Sequence, residues 1–222
     1  MNMTKSQTKS KQRVSDHGEV FTAEREVNAM LDLVKQETER IDSRFLEPAC
    51  GTGNFLAEIL RRKLAVVKSR YGKNHDDYER YAVIAVTSIY GVDLLQDNVD
   101  ECQERMFGIF NAEYTAMCKK NANDDTRGAA RYILKHNIIC GDALTLKASD
   151  GKPIIFAEWS VVNSFFVKRR DFSFEELAEQ NDTDILFPTK KTITNDMGQT
   201  IFLPQAVAEF KPVHYRKVQQ HE

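Results

Sequence analysis

The segment FLEPACGTGNFL, Phe45 to Leu56, constrains this chain more than any other. Phe45 and Leu46 end a short apolar run, and Pro48 to Gly53 make a turn. From Asn54 to about Arg70 an apolar stripe runs through Phe55, Ile59, Leu60, Leu64 and Val67, which is helical spacing, and Gly72 follows as a stop. A strand, a glycine turn and a helix in that order open an α/β sheet, whose ligands sit at the carboxyl ends of the strands. Gly51 and Gly53 allow backbone to approach a ligand with no Cβ in the way. The turn lacks the third glycine of a dinucleotide fingerprint and the lysine of a P-loop. It carries Glu47 at the strand end instead, a poor neighbour for a pyrophosphate and a good one for a cationic amino-acid group. A bare G-x-G is more often an ordinary tight turn, so the assignment has to rest on what surrounds it.

The same alternation runs through the flanking chain. Val27, Met30, Leu31 and Val34 predict a helix with Thr22 as its N-cap. Asp76 to Thr87 reads as a buried helix and Ser88 to Leu95 as a second strand. Asp97 is placed to cap a helix over Asn98 to about Lys119, after which NANDDTRG reads as a polar turn and Ala129 to Lys135 as a short helix. Asn137 to Leu146 reads as a third strand and Lys152 to Val162 as a fourth. This order predicts an α/β domain over residues 14–222 with a mainly parallel sheet and helices on both faces. Two β-rich runs around Asn195 to Gly198 predict a C-terminal β-hairpin at about residues 184–204. Residues 1–13 are polar and basic and read as a disordered lead.

Composition narrows the partners. With 31 Lys+Arg against 33 Asp+Glu the net charge is −2, which argues against a protein held on nucleic acid by bulk charge alone and leaves room for a local basic patch. No apolar run has the length of a membrane span, and the N-terminus has no apolar core of a secretory signal. A cytoplasmic protein with no membrane partner is the expectation. Cys50, Cys102, Cys118 and Cys140 have no C-x-x-C spacing, so neither a zinc site nor a disulfide framework is expected, and buried thiols are.

EPACGTGNFL resembles the S-adenosylmethionine-binding motif of the amino-methylating, adenine-specific DNA methyltransferases of restriction-modification systems. Upstream, HGEVFTAEREVNAMLDLV resembles that family's companion G-x-x-x-T-P segment, with Ala23 where the proline stands. Downstream, YGVDLLQDNV resembles the strand-ending acidic motif and CGDAL the next one, so four ordered matches span about residues 17–146. The resemblance implies a Rossmann-like class I methyltransferase fold, S-adenosyl-L-methionine as cofactor, DNA as partner and an adenine amino group as methyl acceptor. It implies that Glu47 and Gly51 face the methionine moiety, with Phe21 and Thr22 closing over that end. The resemblance further implies that Pro48, Ala49, Gly53, Asn54 and Phe55 complete the binding turn, that Asp93, with Leu94 beside it, accepts the ribose hydroxyls, and that Asp142, with Ala143 beside it, accepts the adenine amino group. Each has a plainer alternative: a capping or loop aspartate for Asp93, a turn aspartate for Asp142 and a hydrophobic staple for Phe21.

One family feature is missing. Members carry an (Asn/Asp/Ser)-Pro-Pro-(Tyr/Phe) loop after the fourth strand, which holds the target amine of a flipped base. Here AEWSVVNSFF stands at that position, and all five prolines are isolated. Glu158, Trp159 and Asn163 are the candidates for a substitute catalytic site, although a tryptophan at a strand end is more often core. Lys168, Arg169 and Arg170 are the candidate phosphate contacts, although a solvated face is the commoner origin of such a run. The chain therefore reads as a DNA adenine methyltransferase or its cofactor-binding subunit, with a second subunit supplying the acceptor loop or target recognition. The alternatives are a non-catalytic subunit of a restriction-modification or defence complex, and a methyltransferase acting on RNA, protein or a small molecule.

Overall fold

The structure is a computed structural model and describes residues 10–17, 20–163, 165–178, 192–194, 200–202 and 205–221. The first described element is a helix, α1 (Lys11–His17), so the basic lead is ordered over its last residues. Ser10 caps it, accepting from the Arg13 amide at 3.1 Å. Helix α2 (Glu24–Leu33) starts at an extended Ala23 rather than at Thr22, with Glu24 and Glu26 in its first turn facing the positive end of the dipole. It buries Val27 and Leu31, while Met30 and Val34 of the expected stripe stay exposed. A single turn, α3 (Lys35–Thr38), leads to strand β1 (Phe45–Glu47).

Helix α4 (Asn54–Tyr71) follows as the spacing predicts, burying Leu56, Leu60, Leu64 and Val67. In α5 (His75–Thr87) the Asn74 side chain caps the amides of Asp76 and Asp77. Strand β2 (Ile89–Asp93) leads into α6 (Gln96–Cys118), which is capped at Leu95 and not by Asp97. Helix α7 (Asp124–Asn137) begins inside the expected polar turn, with the Asn123 side chain as cap, and runs directly into β3 (Ile138–Asp142).

Strands β1, β2 and β3 lie side by side and parallel, with Glu47 opposite Gly91 and Asp93 opposite Cys140. That register brings the carboxyl ends of all three to one edge. The chain then departs from the expected parallel continuation. Strand β4 (Lys147–Ala148) turns back antiparallel on β3. The expected fourth strand, β5 (Ile155–Val161), pairs antiparallel with β6 (Phe166–Ser173) in a separate sheet. A short helix, α8 (Phe174–Ala178), follows. Strands β7 (Thr192–Thr194) and β8 (Thr200–Phe202) form the expected hairpin, but as a sheet of their own rather than an extension. Its turn, Asn195 to Gly198, lies outside the described residues. Strands β9 (Ala208–Glu209) and β10 (Val213–His214) add to β6, and a 3-10 segment, Tyr215–Gln220, ends the described chain. The fold is thus α/β with parallel and antiparallel strands mixed.

Alternation along β2 explains how the layers meet. Ile89 joins the large core built from α4 to α7, with Ile138 of β3. Tyr90 and Val92 point the other way into a smaller cluster with Ile154, Phe156 and the partly buried Phe174 and Leu177 of α8. Among the described residues that second face is therefore covered by the β5 segment and one short helix. The Tyr90 hydroxyl donates to the Ala157 carbonyl at 2.9 Å, so a buried polar group ties the two sheets together. Beyond β1 no strand pairs among the described residues, and Leu46 is 43% exposed there.

Candidate functional site

The carboxyl ends of β1, β2 and β3 open into a cleft of about 460 Å³. Twelve of the thirteen residues expected to bind cofactor line it: Phe21 and Thr22 before α2, Glu47 to Ala49, Gly51, Asn54 and Phe55 at the first strand end, Asp93 and Leu94 at the second, and Asp142 and Ala143 at the third. Gly53 is the exception. It sits behind the turn at φ +82°, where a Cβ would fall 2.5 Å from the Cys102 sulfur. Its role is to let the turn pack on α6. Gly51, at φ +50°, has the Phe21 ring against it, 3.0 Å from where a Cβ would stand. The aromatic ring thus closes over the glycine turn at short range.

Glu47 ends β1 and projects into the cleft with no cationic side chain paired to it among the described residues. Burial pushes its carboxyl above the usual range, and the Ala49 amide opposes that in part. A carboxylate so placed is stabilised by a cationic ligand group. Asp93 is more heavily engaged. Its Oδ2 accepts from the Gly51 amide at 2.9 Å, and its Oδ1 accepts from the Leu95 amide at 3.0 Å and from Asn98 Nδ2 at 3.0 Å. A carboxylate offers about four acceptor positions, so one, on Oδ2, is left for a ligand hydroxyl. Asp93 thereby braces its own loop, the plainer of the two alternatives, in a position that also lines the cleft.

Asp142 is held by the Leu144 amide at 2.9 Å and the Thr145 hydroxyl at 3.0 Å, and these bonds lower its pKa. That is the turn arrangement, in a residue that also lines the cleft. Asn54 donates to the Thr22 carbonyl at 2.9 Å and accepts from Arg105 at 2.6 Å, which stitches the segment before α2 to the turn.

Sequence reasoning missed six lining residues, Val20, Cys50, Leu95, Asn98, Gly141 and Leu144. The Cys50 thiol donates to the Gly51 carbonyl at 3.6 Å, and the neighbouring Cys102 thiol together with burial pushes it well above the ordinary range, so it lines the cleft as a neutral group. Asn98 carried a local signal: it lies in the first turn of the helix that follows Asp93.

The expected substitute catalytic residues lie elsewhere. Glu158 pairs with Arg44 at 2.9 Å and with Arg170 across the β5–β6 ladder. Trp159 is buried, and its Nε1 donates to Asn137 Oδ1 at 2.9 Å. Asn163 accepts from the amides of Phe165 and Phe166 in the β5–β6 turn. None lines the cleft, because the strand that carries them joined the antiparallel sheet. The basic run is not a patch either. In a strand, successive side chains take opposite faces. Lys168 pairs with Glu209 at 2.8 Å, Arg170 pairs with Glu158, and Arg169 is buried on Asp171 with two bonds at 2.7 and 2.8 Å.

No family model, curated protein or solved structure matches this chain. Among the described residues no helix is long and apolar enough to cross a membrane.

Proposed function

We propose that this chain has a Rossmann-like methyltransferase fold and binds S-adenosyl-L-methionine, as the cofactor-binding part of an enzyme that methylates adenine amino groups in DNA. The observation that carries the reading is Glu47, a carboxylate set into the cleft without a cationic partner among the described residues, beside a glycine turn and one strand away from Asp93. The cleft volume falls within the range of small-molecule sites. Glu47 would receive the ammonium of the methionine moiety, the open position on Asp93 Oδ2 a ribose hydroxyl, and the Phe21 ring would cover the turn. When bound, the cofactor supplies a methyl group on a sulfonium. The chain's own part is to bind and orient that group and to exclude water from it.

The acceptor side is the reason to favour a subunit over a self-sufficient enzyme. Glu158, Trp159 and Asn163 are engaged in the second sheet. The outer edge of β1, next to the cleft, pairs with no strand among the described residues. A second polypeptide would supply the acceptor loop and the recognition of the DNA site.

Calorimetric titration of the purified chain with S-adenosylhomocysteine tests the cofactor reading. Binding is expected, and Glu47→Gln and Asp93→Ala should each weaken it by roughly tenfold or more, the worth of one charged hydrogen bond. Absence of binding, or undiminished binding by both variants, refutes it. Labelled methyl transfer to unmethylated duplex DNA, RNA and protein then separates the acceptor classes. The chain alone is expected to be inactive on all three.

A further inference from the structure

A three-residue relay reaches Asp93 from the N-terminal helix. The Arg13 guanidinium grips Asp97 in the first turn of α6, with Nη1 at 2.6 Å from Oδ2 and Nη2 at 3.1 Å from Oδ1. The same Nη2 donates to Asn98 Oδ1 at 3.2 Å. Asn98 is 1% exposed, and its Nδ2 donates to Asp93 Oδ1 at 3.0 Å. We propose that Arg13 is a positioning residue for the ligand's ribose, acting through Asn98 on Asp93; this rests on the nucleoside reading of the cleft.

The chemistry of the amide makes the relay directional. A carboxamide has nearly the same shape in its two flipped orientations, and only one of them presents an NH2 to Asp93. The other presents an oxygen to a carboxylate, a repulsive contact in a buried place. Arginine has five donors and no acceptor, so it accepts only the orientation in which the Asn98 oxygen faces it and the NH2 faces Asp93. Asp97 holds the guanidinium through two of its N–H groups, which fixes where that demand is made. With Oδ1 saturated by Asn98 and Leu95, Asp93 is left with its single open position on Oδ2, in a residue that lines the cleft.

A surface brace would look different. The Arg13 and Asp97 side chains are 24% and 56% exposed, so as an ion pair they add little to stability. Their effect should appear in recognition of the sugar and not in the melting temperature.

The test compares S-adenosylhomocysteine with its 2′-deoxy and 3′-deoxy analogues by calorimetry on the full chain. The native protein should prefer the ribose form over at least one analogue. Arg13→Met should weaken S-adenosylhomocysteine by about three- to tenfold, the worth of one neutral hydrogen bond, and leave that analogue nearly unchanged. The preference then collapses toward one. Arg13→Lys should restore part of it. Asp97→Asn, at an exposed helix position, should lose part of it and keeps the test open if Arg13→Met disturbs α1. An unchanged preference in Arg13→Met and Asp97→Asn overturns the relay. So does equal weakening of ribose and deoxyribose ligands, which marks a general loosening of the cleft. If the native chain binds none of the three ligands, the nucleoside reading itself falls and takes this role with it.

Discussion

Replacing Gly53 with alanine separates two penalties that the structure places on one atom. The residue has φ +82° and ψ 41°, the left-handed region, where an L side chain costs about 1–2 kcal/mol. The added Cβ would also stand 2.5 Å from the Cys102 sulfur and 3.2 Å from the Met106 methyl. Cys102 is fully buried and cannot retreat, so this overpacking adds about 1–3 kcal/mol. The sum, about 2–5 kcal/mol, is a large share of a typical domain's stability of roughly 5–15 kcal/mol. In a Cys102→Ala background the sulfur is gone, and the cost should fall toward the backbone penalty of about 1–2 kcal/mol, with the end of the flexible Met106 side chain the one tight contact left. Urea unfolding followed by circular dichroism, on both glycine and alanine forms in both backgrounds, gives the two costs. Equal costs in the two backgrounds would show that the sulfur is not the obstacle. A cost below about 0.5 kcal/mol in the native background, the level of an ordinary surface change, would refute the whole argument.

Three further outcomes follow from the same geometry. Burial raises the Glu47 pKa above its ordinary value of 4.5, so between those values the folded chain holds a proton that the unfolded chain has released, and stability falls as pH rises. Glu47→Gln should therefore gain urea resistance relative to the native chain at pH 7 and lose that gain at pH 4; a difference independent of pH contradicts this. Lys63 is fully buried, donates to the Ile41 and Ser43 carbonyls and the Ser88 hydroxyl, and is pushed down to about 7 by burial. Between there and the unfolded value of about 10.4 the unfolded chain binds the extra proton, so native stability should rise with pH relative to Lys63→Met, and parallel urea midpoints from pH 7 to 10 would exclude it. Arg169→Met should cost about 3–5 kcal/mol by stranding the buried Asp171, while Lys168→Ala beside the exposed Glu209 should cost below about 1 kcal/mol; equal thermal shifts would contradict the burial argument.

The parts of the site that were legible in the sequence are those built from neighbours. Glu47, Gly51, Asn54 and Phe55 belong to one strand–turn–helix unit, and Asp93 and Asp142 each end a strand, so local pattern located these elements and the ordered motif resemblance singled out the residues. Twelve of thirteen then met in one cleft because parallel pairing brings the same end of each strand together. The second sheet was not legible. The run KPIIFAEWSVV has the composition of a buried parallel strand, yet nothing local says which strand it will pair with. The run VKRRDFS hides a strand whose charges are paired on both faces: Lys168 and Arg170 with Glu209 and Glu158, and Arg169 with Asp171.

The sequence by itself therefore determined the first strand, turn and helix, and which residues stand at the ends of the three parallel strands, Glu47 and Asp93 among them. Spacing and turn chemistry act over a few residues, and those decisions need no more. Only the tertiary structure decided that Trp159 would reach Asn137, that Glu158 would answer Arg44, more than a hundred positions away, and that Arg13 would reach Asp97 across 84 residues. Such contacts depend on which faces the packed layers bring together, and a hydrogen bond of about 3 Å is set by that packing rather than by any local preference.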